Sequence, residues 1–305
     1  MTWLAFVLMM AAPIGSVDIL SPMQLHAADN HEGTGHSAGL TQTDPSVVIR
    51  LVAEAGFLGV IDHRIQYNEA DSAFLYHEDG GQDVLFPFAR LSAELELNQR
   101  HTAVFLYQPL ELETRVGMPA GLQIDGESFA GDSLRLLYSF PFYRFSYLYR
   151  FLHGDTWWVE AGGSLQIRNA NTEFEARGSD GSGSTGAGDP GSASGFYRSA
   201  GTGPVPLLKV RGRYDLPHGF WLGLEADGIY APISYLNGSD NETVGALLDA
   251  SLRAGYRVNS TMDTFVNVRY LGGGAANEDP KDYTVNWLHT YSVSLGAVLS
   301  TEGLR

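Results

Sequence analysis

Phe86-Pro87-Phe88-Ala89-Arg90-Leu91-Ser92-Ala93-Glu94-Leu95-Glu96-Leu97 runs into Asn98-Gln99-Arg100-His101 and then into a second apolar stretch ending at Leu112. In the first run Ala89, Leu91, Ala93, Leu95 and Leu97 alternate with Arg90, Ser92, Glu94, Glu96 and Asn98. Successive side chains of a strand point to opposite faces, so this run has one apolar face and one charged face. The three-and-four spacing of an amphipathic helix is absent. Asn98 to His101 reads as the turn of a hairpin. In its second strand Val104 and Leu106 are as apolar as Phe105 and Tyr107, which leaves the facing of that strand open. The alternation itself does not say whether the apolar face lines a core or meets lipid, and that choice fixes the class of the protein.

Comparable runs recur along the chain at 51–67, 133–151, 157–169, 205–214, 220–230, 243–257, 261–271 and 285–299. Leu51, Ala53, Ala55, Phe57 and Ile61 share a face opposite Glu54 and Asp62. Tyr143, Phe145, Tyr147, Tyr149 and Phe151 alternate with Arg144, Ser146, Leu148 and Arg150, and Pro141 marks a bulge upstream. Further on, Glu160 and Arg168, then Glu225, then Asp249 and Arg253, then Arg269, each oppose apolar neighbours on their own runs. Ten strands are expected, or twelve if the long connections hide a further hairpin.

The connections alternate in length. Those at 98–101, 153–156, 215–219 and 257–261 are short, whereas those at 68–85, 113–132, 170–204, 231–242 and 272–284 are long. In an up-and-down barrel this places every short turn and both termini at one end, with every long loop at the other. A soluble barrel has no reason to segregate its loops in this way. Acidic residues crowd the long loops, including Glu69, Asp71, Glu78, Asp79, Asp83, Asp125, Glu127, Asp180, Asp189, Asp240, Glu278, Asp279 and Asp282. The strands carry charges of both signs. A polar lumen tolerates such charges when they pair, while a dry core would pay several kcal/mol for each unpaired one.

The chain has 305 residues, a formal charge of −16, 36 glycines and no cysteine. The acidic balance argues against nucleic acid, because phosphate binding needs clustered Lys and Arg. Without cysteine there is no disulfide framework, thiolate chemistry or Cys-ligated zinc. Trp3 to Ala12 forms an apolar core, and His26-Ala27-Ala28 a small-residue cleavage region, so residues 1–28 read as an export signal. No Lys or Arg precedes Arg50, so a basic n-region is missing and a buried helix is the alternative. Residues 29–48 read as a flexible periplasmic segment and 49–305 as the barrel.

Segregated loops, an export signal, alternating strands and aromatic-rich strand ends together resemble a bacterial outer-membrane β-barrel. The final strand carries part of that superfamily's terminal pattern, as Ser294-Leu295-Gly296-Ala297-Val298-Leu299, but ends in Thr301-Glu302-Gly303-Leu304-Arg305 without a terminal aromatic residue. The resemblance covers about residues 50 to 300 and is one of architecture. It implies an all-β, up-and-down antiparallel transmembrane barrel in the outer membrane, monomeric, with membrane lipids and the envelope assembly machinery as partners. The polar residues Arg90, Glu94, Glu96, Arg144, Arg150, Glu160, Arg168, Glu225, Asp249, Arg253 and Arg269 are expected to face its lumen. About eight strands fill a barrel with its own side chains and 16–18 leave a channel. Ten strands with large charged residues therefore point to a barrel of structural or surface role that is closed or at most a narrow small-solute pore.

No catalytic, cofactor or metal constellation is assigned. A rim-sited hydrolase acting on lipid or peptide is one alternative, with Asp62-His63, His77 and His289 as its candidates. Asp62 and His63 are strand neighbours and face opposite ways, so they do not pair by themselves. No Gly-x-Ser-x-Gly elbow is present. A soluble periplasmic ligand-binding barrel with its apolar face inward is the other alternative. His31-Glu32-Gly33-Thr34-Gly35-His36 has the wrong spacing for a zinc helix, and the glycine-rich stretch 178–189 matches neither a calcium repeat nor a phosphate loop.

Overall fold

The computed structural model describes residues 46–178, 195–232, 243–277, 279 and 283–302. The expected export segment 1–28, most of the segment 29–48 with its histidine stretch, residues 179–194 of the glycine-rich loop and the chain end 303–305 lie outside the described residues.

Ten strands build the wall: β1 (Val47–Gln66), β2 (Leu85–Leu97), β3 (His101–Gln108, continued by Glu111–Gly117), β4 (Ser133–Ser139, continued by Phe142–His153), β5 (Trp157–Arg177), β6 (Phe196–Asp215), β7 (Phe220–Pro232), β8 (Val244–Asn259), β9 (Met262–Asn277) and β10 (Thr284–Ser300). Each pairs antiparallel with its neighbour in sequence, and β10 pairs with β1, from Arg50 opposite Ser300 to Gln66 opposite Val285. The sheet therefore closes without an edge. The additional pairings, Phe74–Leu75 against β1 and Gln123–Ile124 against Glu127–Ser128, lie in the connections. The wall has ten strands.

The hairpin at Asn98 turns tightly because Asn98 and Gln99 both take left-handed φ, 53° and 57°. Turns of that hand match the twist of the strands they join. Pro141, which lacks a donor, separates the two halves of β4. The lower half pairs with Trp158 to Arg168 of β5 and the upper half with Asn171 to Arg177. In β1 the register shifts between Val60 and Asp62. The bulge turns Asp62 to the outer face and His63 inward, whereas simple alternation puts Asp62 beside Glu54. That expectation is corrected.

Several strands also run further than expected, β9 among them, which continues to Asn277. Residues 170–177 and 196–203 pair as strand, and so do 111–117 with 133–139. Here the outward residues, such as Glu173, Glu175 and Arg177, are polar, so the segments read as loop in a sequence scanned for apolar runs. Their inward residues Phe174, Ala176, Leu134 and Leu136 are buried with Phe74, Tyr76, Ile124 and Phe129 of the connections. The long-loop end thus carries a folded cap with its own apolar core. Beneath it a second apolar layer, including Leu58, Phe86, Phe88, Leu106, Phe142, Leu271 and Leu288, fills the upper lumen.

Gly296 has a packing reason. It faces inward on β10, and the Phe265 ring occupies the space a Cβ there would need. The glycine of the terminal pattern is thus the seat of an interior aromatic side chain.

Candidate functional site: the charged lumen

Below the apolar layer, polar side chains from nearly every strand meet across the barrel. Asp249 of β8 is the centre. Arg90 of β2 donates to it at 3.0 Å and Arg144 of β4 at 2.7 Å, and Arg269 of β9 holds its other carboxylate oxygen. Strands β2 and β4 each lie four places from β8 around the ring, so these bonds cross the lumen rather than follow the wall. Asp249 is fully buried, as are Arg90, Arg144 and Arg269.

Asp227 of β7 continues the layer, accepting from Arg144 at 2.9 Å, Lys209 at 2.7 Å and Ser164 at 2.7 Å. Lys209 also reaches Glu225 at 2.6 Å. Arg211 of β6 forks onto both carboxylate oxygens of Glu94 across the lumen at 2.9 and 3.1 Å, and meets Glu160 at 2.9 Å. Arg150 bridges Glu96 and Glu160, each at 2.9 Å. Glu54 accepts from Arg253 at 2.9 Å and from Asn267 at 2.7 Å. Alternating cations and carboxylates of this kind satisfy one another's desolvated charge only while every partner is present.

Of the eleven lumen residues expected from sequence, ten enter this network directly. Arg168 stands higher and lies over the Phe140 ring at 5.6 Å. Lys209 and Arg211 were not expected there. Their signal is the alternation Leu208-Lys209-Val210-Arg211-Gly212-Arg213, legible once that stretch is scored by face. Gln108 and Gln166, which bond Arg90 and Arg144 at 2.9 and 3.0 Å, carry no charge to mark them. In β3 the open question of facing is resolved. Thr102, Val104, Leu106 and Gln108 are buried inside, and Phe105 is exposed outside.

The outer wall is the reverse of the lumen. Leu51, Phe57, Leu91, Leu95, Phe145, Leu165, Val210, Leu222, Leu224, Leu252, Val266, Val268, Val293 and Leu295 are all exposed. Aromatic residues rim this belt at both ends. Tyr149, Trp157, Tyr214, Phe220 and Tyr256 stand near the short turns, and Tyr143, Tyr230 and Tyr291 toward the long loops. An apolar band flanked by aromatic girdles around a polar interior is the surface a bilayer requires. The chain is an outer-membrane-type β-barrel. A soluble barrel with its apolar strand faces inward has these two surfaces exchanged.

No protein-family model and no curated protein matches the chain. Among solved structures, the outer membrane protease OmpT of Escherichia coli aligns over 83% of this chain and 96% of its own, at 13% identity and a TM-score of 0.45. The attachment invasion locus protein Ail of Yersinia pestis aligns over 83% and 98%, at 7% identity and a TM-score of 0.33. A FadL homologue of Pseudomonas aeruginosa aligns over 84% and 90%, at 10% identity and a TM-score of 0.35. Likeness this slight carries no residue role to this barrel, whose reading rests on its own register and its two faces.

The three candidate histidines are not brought together. His63 is sealed in the cap, where its Nδ1 lies 2.8 Å from Gln82 Oε1 and its ring stacks on Tyr76 at 4.0 Å. His77 is exposed in the first long connection. His289 faces outward and contacts the Tyr270 hydroxyl at 2.6 Å. Among the described residues none of the three pairs with a carboxylate, and no group of His, Asp and Glu is placed to hold a metal.

His63 does give a pH dependence. Asp62 and Arg64, both exposed on the outer wall, flank it, so this part of β1 stands beyond the apolar belt. Burial lowers its pKa to about 4, only partly offset by the bond to Gln82. Between the free value and that lowered one, the unfolded chain takes up the proton and the folded barrel does not. Stability is therefore lost as pH falls from about 6.5 toward 4, by up to about 3 kcal/mol from this group. Urea midpoints at pH 7.5 and 5.0 should differ less in His63→Asn than in the parent; an equal difference would remove His63 from the account.

Proposed function

We propose that the protein is an integral barrel of the bacterial outer membrane, non-conducting, with a structural or surface-presenting role. The observation that carries this is the set of bonds across the lumen onto Asp249, with an apolar layer directly above it. In this reading residues 1–28 export the chain, the short turns face the periplasm and the long-loop cap faces outward. Membrane lipids surround the belt, and the envelope assembly machinery inserts a monomer. The cap supports a surface role because it is a folded head. Its outward face carries a cross-strand ladder in which Arg135 forks onto Glu113 at 3.0 Å and reaches Glu173 at 3.5 Å. Exposed pairs of this kind add little stability, so the ladder's contribution is to the character of the surface.

Planar-bilayer recording tests the closed lumen. The purified barrel should insert without stable conductance steps. Large, long-lived steps at moderate voltage would overturn the non-conducting reading while leaving the fold in place. Fractionation with a heat-shift gel tests the location: the folded form should require detergent and migrate faster before boiling.

A further inference from the structure

Beneath the charged layer the lumen widens into a cavity of about 620 Å³. Every strand end that borders it is a short-turn end. Arg50 lies near the start of β1, Glu96 near the end of β2, Arg150 near the end of β4, Trp158 near the start of β5, and Asp215 ends β6. It is thus a blind vestibule, roofed by the bonds across the lumen and set at the end opposite the cap.

Its wall over β6 to β8 is built around an indole. Trp221 faces inward on β7 and is only 5% exposed. It lies flat on the backbone because Gly223 beside it and Gly255 opposite it on β8 carry no side chain; a Cβ at Gly255 would collide with the indole. The Arg213 guanidinium stacks over this ring at 4.4 Å. The register sets Arg213 and Arg253 on either side of Gly223, in one row across three strands.

The hydrogen-bonding capacity left over in this row is of one kind. Arg213 gives Nε to Asp215 at 2.9 Å and Nη1 to Asp263 at 3.0 Å, but its Nη2 is buried without an acceptor. Arg253 gives Nη2 to Glu54 at 2.9 Å, and its Nε is likewise left. Trp221 Nε1 is the third. All three are N–H donors. The carboxylates that line the cavity are engaged: Glu94 by Arg211, Glu96 by Arg50 and Arg150, Glu302 by Arg50, Glu225 by Lys209, and Asp215 and Asp263 by Arg213. Buried donors without partners are costly, and an acceptor-only group satisfies them best. An oxyanion is such a group, and guanidinium with indole N–H is apt chemistry for holding one.

We propose that this vestibule binds a small oxyanion-bearing solute, phosphate or carboxylate, on the donors of Arg213, Arg253 and Trp221. The site goes beyond the structural role proposed above and does not depend on it, because the vestibule ends below the roof. The three donors are closed off from the cavity in this structure, so binding requires a small side-chain shift that opens them to the bound group, whose remainder has the Trp221 and Trp158 rings and the cavity to occupy.

Titration calorimetry of the full-length, detergent-solubilised barrel with inorganic phosphate, and separately with acetate, tests this. One saturable site for either ion is expected. Trp221→Phe leaves a phenyl ring on the glycine floor and removes the Nε1 donor together with part of the indole, so binding should weaken severalfold with the heat-shift behaviour unchanged. Arg213→Gln should weaken it by about tenfold or more, the effect of losing a bond to a charged group. No saturable binding of either ion, or equal affinity in the parent and in folded Trp221→Phe, would overturn the proposal. Phosphate loaded into barrel-bearing vesicles distinguishes the two readings. Leakage of phosphate would refute the closed lumen while leaving the site intact, and binding without leakage agrees with both.

Discussion

Asp249→Asn is expected to destabilise the barrel by about 3–5 kcal/mol, or to prevent recovery of the folded form. The substitution keeps the side-chain volume, removes the charge and turns one of the two acceptor oxygens into an amide donor that faces a guanidinium. Arg90, Arg144 and Arg269 then lie in one buried layer around a neutral amide, all at 2% exposure or less. Asp227 still holds Arg144 at 2.9 Å, but Glu225 lies 3.6 Å from Arg90 and Glu54 lies 3.8 Å from Arg269. Those longer contacts do not replace the lost partner. The size of the effect comes from stranding charge, not from an intrinsic strength of ion pairs, since a buried network can be worth little against an apolar replacement of equal shape. The prediction is therefore best tested as a cycle. Arg144→Gln in the Asp249→Asn background removes one stranded cation and should recover part of the loss, giving a coupling above about 1 kcal/mol. Urea unfolding read by gel shift measures each corner. Equal midpoints for the parent and Asp249→Asn would show that the layer does not hold the lumen together.

What made this layer legible was its alternation. Arg90, Glu94 and Glu96 could be placed opposite Leu91, Leu95 and Leu97 because side chains in a strand keep a period of two over the whole belt. The same rule failed wherever the backbone departed from it. Asp62 lies on the outer wall because one bulge in β1 inserts a residue, and nothing in Val60-Ile61-Asp62-His63 announces the shift. The outer halves of β3, β5 and β6 were hidden for a different reason. Beyond the bilayer an outward face has no need to be apolar, so Glu173, Glu175 and Arg177 are as suitable there as leucine is below. The partners of each charge were not legible at all. Arg211 and Glu94 are 117 residues apart and meet only because the ring brings β6 opposite β2. The orphaned donors of the vestibule belong to the same class. Trp221, Gly223 and Gly255 are unremarkable in sequence, and their relation exists only through the register of β7 on β8.

Leu224→Arg is expected to cost about 2–4 kcal/mol of folding free energy in the bilayer, the penalty for an arginine on the lipid face near the midplane. Leu224 is 64% exposed on the outer wall of β7. Along that strand it lies between Phe220, which packs with Tyr256 at 5.1 Å in the short-turn girdle, and Tyr230 toward the long loops. Its neighbours across the register are Gly212 and Leu252, which offer no partner for a cation. Leu95 provides the contrast. The hairpin sequence alone makes Leu95 as good a lipid-facing residue as any, but the structure sets it one outward position from Leu97, the last residue of β2. A long arginine side chain there can reach the interface, so Leu95→Arg should cost only about 0–1 kcal/mol. Folding yields into vesicles, compared for both variants at matched urea, separate the two positions by depth alone. Equal penalties would mean that the apolar belt is not centred between the aromatic girdles. No penalty at Leu224 would mean that this wall does not face lipid.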